Sequence, residues 1–185
     1  MDAMSIVEDI LQTVSIGLIV AFFLLNTGRA PKAIEVCKEC LIFVNNGVKM
    51  EGEIFNLLYI GIYITIFQAY CLIHDHTEAL IYGRKLLAIY CQCGKKEEQG
   101  NLTILLANIY RQQYLYLEAM ELYETAINIT KEMGDGQNEA YANNIVGFIS
   151  YRLGDYAKLK NILRKPLPSE YKLVTKKEKP VPTET

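Results

Sequence analysis

YCQCGKKEEQG, residues 90–100, and TKEMGDGQNEA, residues 130–140, place Gly94 and Gly134 at the same point of two charged connectors forty residues apart. Outward from these glycines the same offset keeps its rhyme. Ala79 falls on Ala119, Tyr70 on Tyr110, Leu105 on Ile145, Leu106 on Val146 and Tyr116 on Tyr156. A repeat of this length, with a glycine punctuating each copy, describes helical hairpins stacked on one another, each unit burying its apolar face against its neighbours.

The periodicity inside each copy agrees. Ala33, Val36, Cys37, Cys40, Leu41 and Val44 match Ala79, Tyr82, Gly83, Leu86, Leu87 and Tyr90, and then Ala119, Leu122, Tyr123, Ala126, Ile127 and Thr130. Steps of three and four put each set on one helical stripe, and the alanines let a neighbouring helix come close. The reading is all-α: eight helices over residues 5–26, 31–46, 52–73, 75–92, 96–112, 116–133, 137–153 and 155–165. They pair into four hairpins. Ser5 with Glu8 and Asp75 with Glu78 have capping-box spacing, Pro31 suits a first helical turn, and Gly94, Gly134 and Gly154 suit helix ends. The offset between Ala33 and Ala79 is longer than forty, so the third helix is expected to be longer than its counterparts. Residues 1–165 read as one repeat domain. Residues 166–185, opening on Pro166 and Pro168 and rich in lysine, read as a polar tail or linker.

Composition narrows the function. Lys and Arg total 19 against 21 Asp and Glu, a formal charge of −2, which leaves no basic surplus for a phosphate backbone. Nucleic acid is excluded as a partner on that ground. Five cysteines, an odd number in a chain of 185 residues, point to reduced thiols and a cytoplasmic location. Residues 10–27 and 54–73 carry no charge and reach membrane-spanning length. The second run holds Asn56, Thr65 and Gln68 with Tyr59, Tyr63 and Tyr70, and reads as a buried solenoid helix. The first is purer, and a membrane anchor at residues 10–27 stands as an alternative to the soluble reading.

Cys37 and Cys40 form CxxC, Cys91 and Cys93 form CxC, and His74 and His76 lie between them in sequence. Zinc takes four such ligands. Here, however, Cys37 and Cys40 occupy the apolar stripe, where packing accounts for them, and no metal or cofactor is expected. Gly134 and Gly136 join two helices with no strand before them, unlike a phosphate loop. No nucleophile with a base, and no carboxylate pair in an apolar setting, is legible, so catalysis is not expected.

Ala107, Tyr110, Ala119, Tyr123 and Ala126 carry the small, aromatic, alanine, aromatic, alanine order of the tetratricopeptide repeat, and the chain resembles that family over residues 28–163. The second hairpin shares the pattern through Tyr70, Ala79 and Leu86, the fourth through Gly147, and the first mainly through Ala33. HEAT and armadillo repeats have similar length but lack this alanine spacing. The forty-residue unit is similar to the longer repeats of Pins/LGN-type scaffolds and of large invertebrate arrays. The resemblance implies a right-handed α-solenoid whose first helix in each hairpin lines a concave groove. Carried over, the groove residues are Gly61, Ile64, Gln68 and Cys71, then Asn101, Ile104, Asn108 and Arg111, then Tyr141, Asn144, Phe148 and Tyr151. Amides that donate and accept, aromatic surface and one guanidinium suit an extended or helical peptide of a protein partner with an acidic residue. The expected role is a non-enzymatic scaffold or adaptor, with self-association through the end hairpins as a further alternative.

Overall fold

The computed structural model describes residues 3–46 and 52–155. Among the described residues the chain forms seven helices: α1 (Ala3–Asn26), α2 (Ala30–Asn46), α3 (Glu53–Leu72), α4 (His76–Gln92), α5 (Lys96–Gln112), α6 (Tyr116–Met133) and α7 (Gly136–Arg152). The expected eighth helix and the polar tail lie outside the described residues. The third helix, at 20 residues, is longer than its later counterparts α5 and α7 at 17, but α1 at 24 is longer still, so the expectation holds only in part. One expectation is corrected: α1 begins at Ala3, so Ser5 lies inside the helix rather than at its cap. Ala3 and Met4 are themselves good helix formers and carry the helix upstream.

The connections follow one rule. Asp75 N donates to Tyr70 O, Lys95 N to Tyr90 O, Leu115 N to Tyr110 O, Asp135 N to Thr130 O and Asp155 N to Ser150 O, all at 2.8–3.0 Å. Each bond spans five residues back into the preceding helix and closes a Schellman turn. Such a turn needs one residue in the left-handed region, and those residues are His74, Gly94, Tyr114, Gly134 and Gly154, spaced by twenty. The repeat is therefore finer than the forty-residue hairpin: every helix from α3 onward is closed by the same device. Asp75 and Asp135 then cap the next helices, their Oδ1 atoms each accepting at 3.1 Å from the backbone N–H of Glu78 and Asn138.

The chain divides into two compact units at Leu102 and Thr103, within α5. In the first, α1 packs on α2 and α3, α2 on α3, and α3 on α4. Ile10, Val14, Ala21 and Leu25 form the buried stripe of α1; Ala33, Cys37, Cys40 and Val44 that of α2; Ala79, Tyr82, Gly83, Leu86 and Tyr90 that of α4. The sequence-read stripe is thus the packing stripe, with Val36, Leu41 and Leu87 at its half-buried edges. Close approach accounts for two glycines: a Cβ on Gly17 would run into Cys40 Sγ, and one on Gly61 would meet Leu18 Cδ1 at 3.0 Å. Gly61, expected to face a groove, is therefore a helix-crossing residue.

The second unit is built around Ile104, Ala107, Ala119, Tyr123, Ala126, Ile127, Ala142, Val146 and Ile149, a buried cluster shared by α5, α6 and α7. Ala107, Ala119, Ala126 and Ala142 are fully buried, which is where the small residues of the repeat bring the helices together. Thr130, also buried, returns its hydroxyl to Ala126 O at 3.0 Å, so that hydroxyl is paired within its own helix. Val7–Asn26 and Glu53–Leu72 are long and apolar enough to cross a membrane by length and composition; half of the second is buried inside the fold.

Candidate functional site

Helical spacing puts Asn108 and Arg111 one turn apart on α5, and the fold brings two tyrosines to them. Asn108 Oδ1 accepts from Tyr123 Oη at 2.6 Å, from Tyr141 Oη at 3.0 Å and from Arg111 Nη2 at 3.4 Å. Tyr123 rises from the core of α6, fully buried, while Tyr141 reaches over from α7 with 40% of its surface exposed. Burial pushes the Tyr123 phenol above its ordinary pKa, and the guanidinium of Arg111 beside it works in the opposite direction.

Three donors converging on one carbonyl oxygen decide how the amide lies. Oδ1 is consumed inside the protein, and both N–H groups of Asn108 Nδ2 remain as donors that no described residue accepts. Arg111 Nε is likewise buried without a partner among the described residues. An orphaned buried donor carries a free-energy cost of about 1–3 kcal/mol, more when charged. The local surface therefore offers hydrogen-bond donors and one fixed positive charge, and it suits an acceptor: a carboxylate or a peptide carbonyl.

Around this hub the expected residues divide. Tyr141, Asn144, Phe148 and Tyr151 are exposed along α7, with the Arg152 guanidinium 5.9 Å from the centre of the Phe148 ring. Asn108 and Arg111 are half-buried at the hub. Ile104 is a correction: it is only 6% exposed and belongs to the core cluster, because α5 turns its Ile104, Ala107 edge toward α6 and α7. In the first unit Gln68 and Asn101 are exposed on α3 and α5. Tyr123 was legible only as a core aromatic of the repeat; its hydroxyl, which anchors the hub, gave no signal of its own. Arg152 was also missed, although its spacing of four from Phe148 would have suggested a contact.

No protein-family model matches the chain, and no curated protein matches it. Solved structures do. A STAND signal-transduction ATPase with a tetratricopeptide repeat sensor from Pyrococcus horikoshii superposes with a TM-score of 0.69 at 19% identity, covering 83% of this chain and 23% of that one. Aspartyl phosphate phosphatase F from Bacillus subtilis gives 0.66 at 12% identity, over 82% and 38% of the two chains. A putative kinesin light chain with nearly identical TPR-like repeats from Podosopora anserina gives 0.58 at 15% identity, over 81% and 71%. The chain thus spans under two fifths of the length of the first two. At these identities the likeness defines the fold: an all-α solenoid of tetratricopeptide-like helical repeats.

Proposed function

We propose that this chain is a protein-binding scaffold or adaptor of the cytoplasm. It captures an extended or helical peptide of a partner protein against the face formed by Asn108, Arg111, Tyr141, Asn144, Phe148 and Tyr151. The observation that carries the reading is the hub at Asn108, where the carbonyl is tied internally and the amide N–H groups and Arg111 are left as donors. A peptide backbone offers carbonyl acceptors at regular spacing, and an acidic side chain on it would pair with Arg111. Tyr141, Phe148 and Tyr151 add contact area with little side-chain entropy to lose. One structural neighbour, the STAND ATPase, is described as carrying its tetratricopeptide repeats as a sensor, which agrees with a binding role for such repeats.

Affinity capture from a detergent-free lysate tests it, comparing the intact chain with Arg111→Glu and with an Asn108→Ala, Arg111→Glu double variant. Helicity is checked by far-ultraviolet circular dichroism. Partners retained by the intact chain and lost from both variants are the expected result. Identical capture by all three proteins removes this face as the binding site.

A further inference from the structure

The first unit holds a second cluster in which charge and aromatic surface meet, on a different side of α3 from Gln68. Tyr59, Tyr63 and Tyr70 follow one another at helical spacing along α3, and Tyr82 of α4 inserts between the last two. Ring centres are 5.9 Å apart for Tyr59 and Tyr63, 5.9 Å for Tyr63 and Tyr82, and 5.8 Å for the stacked pair Tyr70 and Tyr82. The row is anchored at one end, where Tyr59 Oη donates to Asn45 Oδ1 at 2.8 Å.

Two lysines bracket it. Lys85 Nζ stands 4.9 Å from the centre of the Tyr82 ring and 5.9 Å from that of Tyr63, and Lys38 Nζ of α2 stands 5.6 Å from that of Tyr70. Both lysines are exposed, and neither is paired with a carboxylate among the described residues. The Tyr70 phenol beside Lys38 favours its charged form. Cations resting on ring faces keep that position while still presenting their outer N–H groups.

We propose that Lys38 and Lys85, set on the Tyr63, Tyr70 and Tyr82 floor, form a docking surface for an acidic segment of another protein, its separated carboxylates pairing with the two ammonium groups. Charge complementarity selects this occupant. Lys38 and Lys85 lie in mid-helix, where the backbone N–H groups are already used, so the surface lacks the helix-end amides that hold phosphate. Glu35, Glu39 and Glu78 stand exposed or half-exposed around the lysines on α2 and α4, which repels a continuous anionic surface such as a membrane or nucleic acid. Two separated cations between acidic neighbours fit discrete carboxylates on a flexible chain, while Tyr70 and Tyr82 are buried beneath the lysines and hold them in place. The surface uses none of the residues of the Asn108 and Arg111 hub and stands or falls separately.

The experiment is fluorescence anisotropy at low ionic strength with a fluorescein-labelled hexaglutamate peptide and its hexaglutamine counterpart. The full chain is compared with a Lys38→Gln, Lys85→Gln double variant, and with Lys32→Gln as a charge control elsewhere on α2. The proposal expects the glutamate peptide alone to bind, roughly tenfold more weakly to the double variant and unchanged with the control. No binding, equal binding of the glutamine peptide, or equal weakening by Lys32→Gln overturns it. So does full displacement of the peptide by inorganic phosphate or by phosphatidylserine vesicles at equal charge, which would assign the patch to those anions instead. Circular dichroism of the variants keeps loss of folding apart from loss of binding.

Discussion

His74 and Tyr114 occupy turn positions that the chain fills elsewhere with glycine, with φ of 58° and 61°. For a residue with a Cβ that region costs about 1–2 kcal/mol, and Tyr114 recovers little by contact, being 75% exposed. Tyr114→Gly is therefore expected to raise the melting temperature, by a stability gain of up to about 1 kcal/mol after the added unfolded-state entropy is counted. Gly134→Ala, at the same point of the next turn, is expected to lower it by a similar amount; thermal denaturation reads both. Cys37 supplies a pH dependence. Burial, first, and then the neighbouring Cys40 push its thiol from 9.0 up to about 12. The folded chain keeps that proton where the unfolded chain loses it, so this stabilisation is complete below about pH 9 and is lost as pH rises toward 12. Cys37→Ala should flatten the fall of stability over that interval by at most about 1.4 kcal/mol per pH unit, measured by urea titration at each pH. These residue-level properties were half legible. Glycine spacing announced three of the turns, while His74 and Tyr114 hid the other two, because the turn is imposed by the helices on either side rather than by the residue's own preference.

The elements were the most legible level, since amphipathic periodicity is a property of consecutive residues. The stripes of α2, α4 and α6 are buried as read, and departures arise where an element is bounded or crossed. α1 is such a case: its contact with α2 depends on Gly17 lying against Cys40. Gly17→Ala gains intrinsic helix propensity of about 1 kcal/mol yet places a methyl group where Cys40 Sγ sits. The crowding is expected to win, with a net loss of about 1–2 kcal/mol. Cys40→Ala in the same chain should recover much of that loss, and a double-mutant cycle by denaturant unfolding measures the coupling. Strict additivity of the two substitutions would show that α1 and α2 do not meet there as described. The exposed face of α1 carries Ile16, Ile19, Phe22 and Phe23, within the segment that is long and apolar enough to cross a membrane.

At the level of the whole molecule, stability is distributed over two compact units rather than gathered in one centre. Repeat folds of this kind open locally, in pieces that follow their contacts. Ile149→Ala, in the fully buried centre of the second unit, is expected to cost about 2–5 kcal/mol there. Native-state hydrogen exchange should show α6 and α7 losing protection by more than α3 and α4; uniform loss would mean that the chain unfolds as one block. The sequence by itself determined the repeat, the helical class, the packing stripes and the order of the hairpins, because each is written in spacings of three, four and forty along the chain. Only the tertiary structure decided that Asn108 is tied by Tyr123 and by Tyr141, 33 residues away, that Ile104 turns inward, and that four tyrosines and two lysines of three helices gather at one place. The physical reason is rotational. Periodicity says that a helix has an apolar face, but the contacts at the edge of that face depend on how far the helix is turned about its axis and at what angle its neighbour crosses. Those angles are settled by the packing of all the side chains at once.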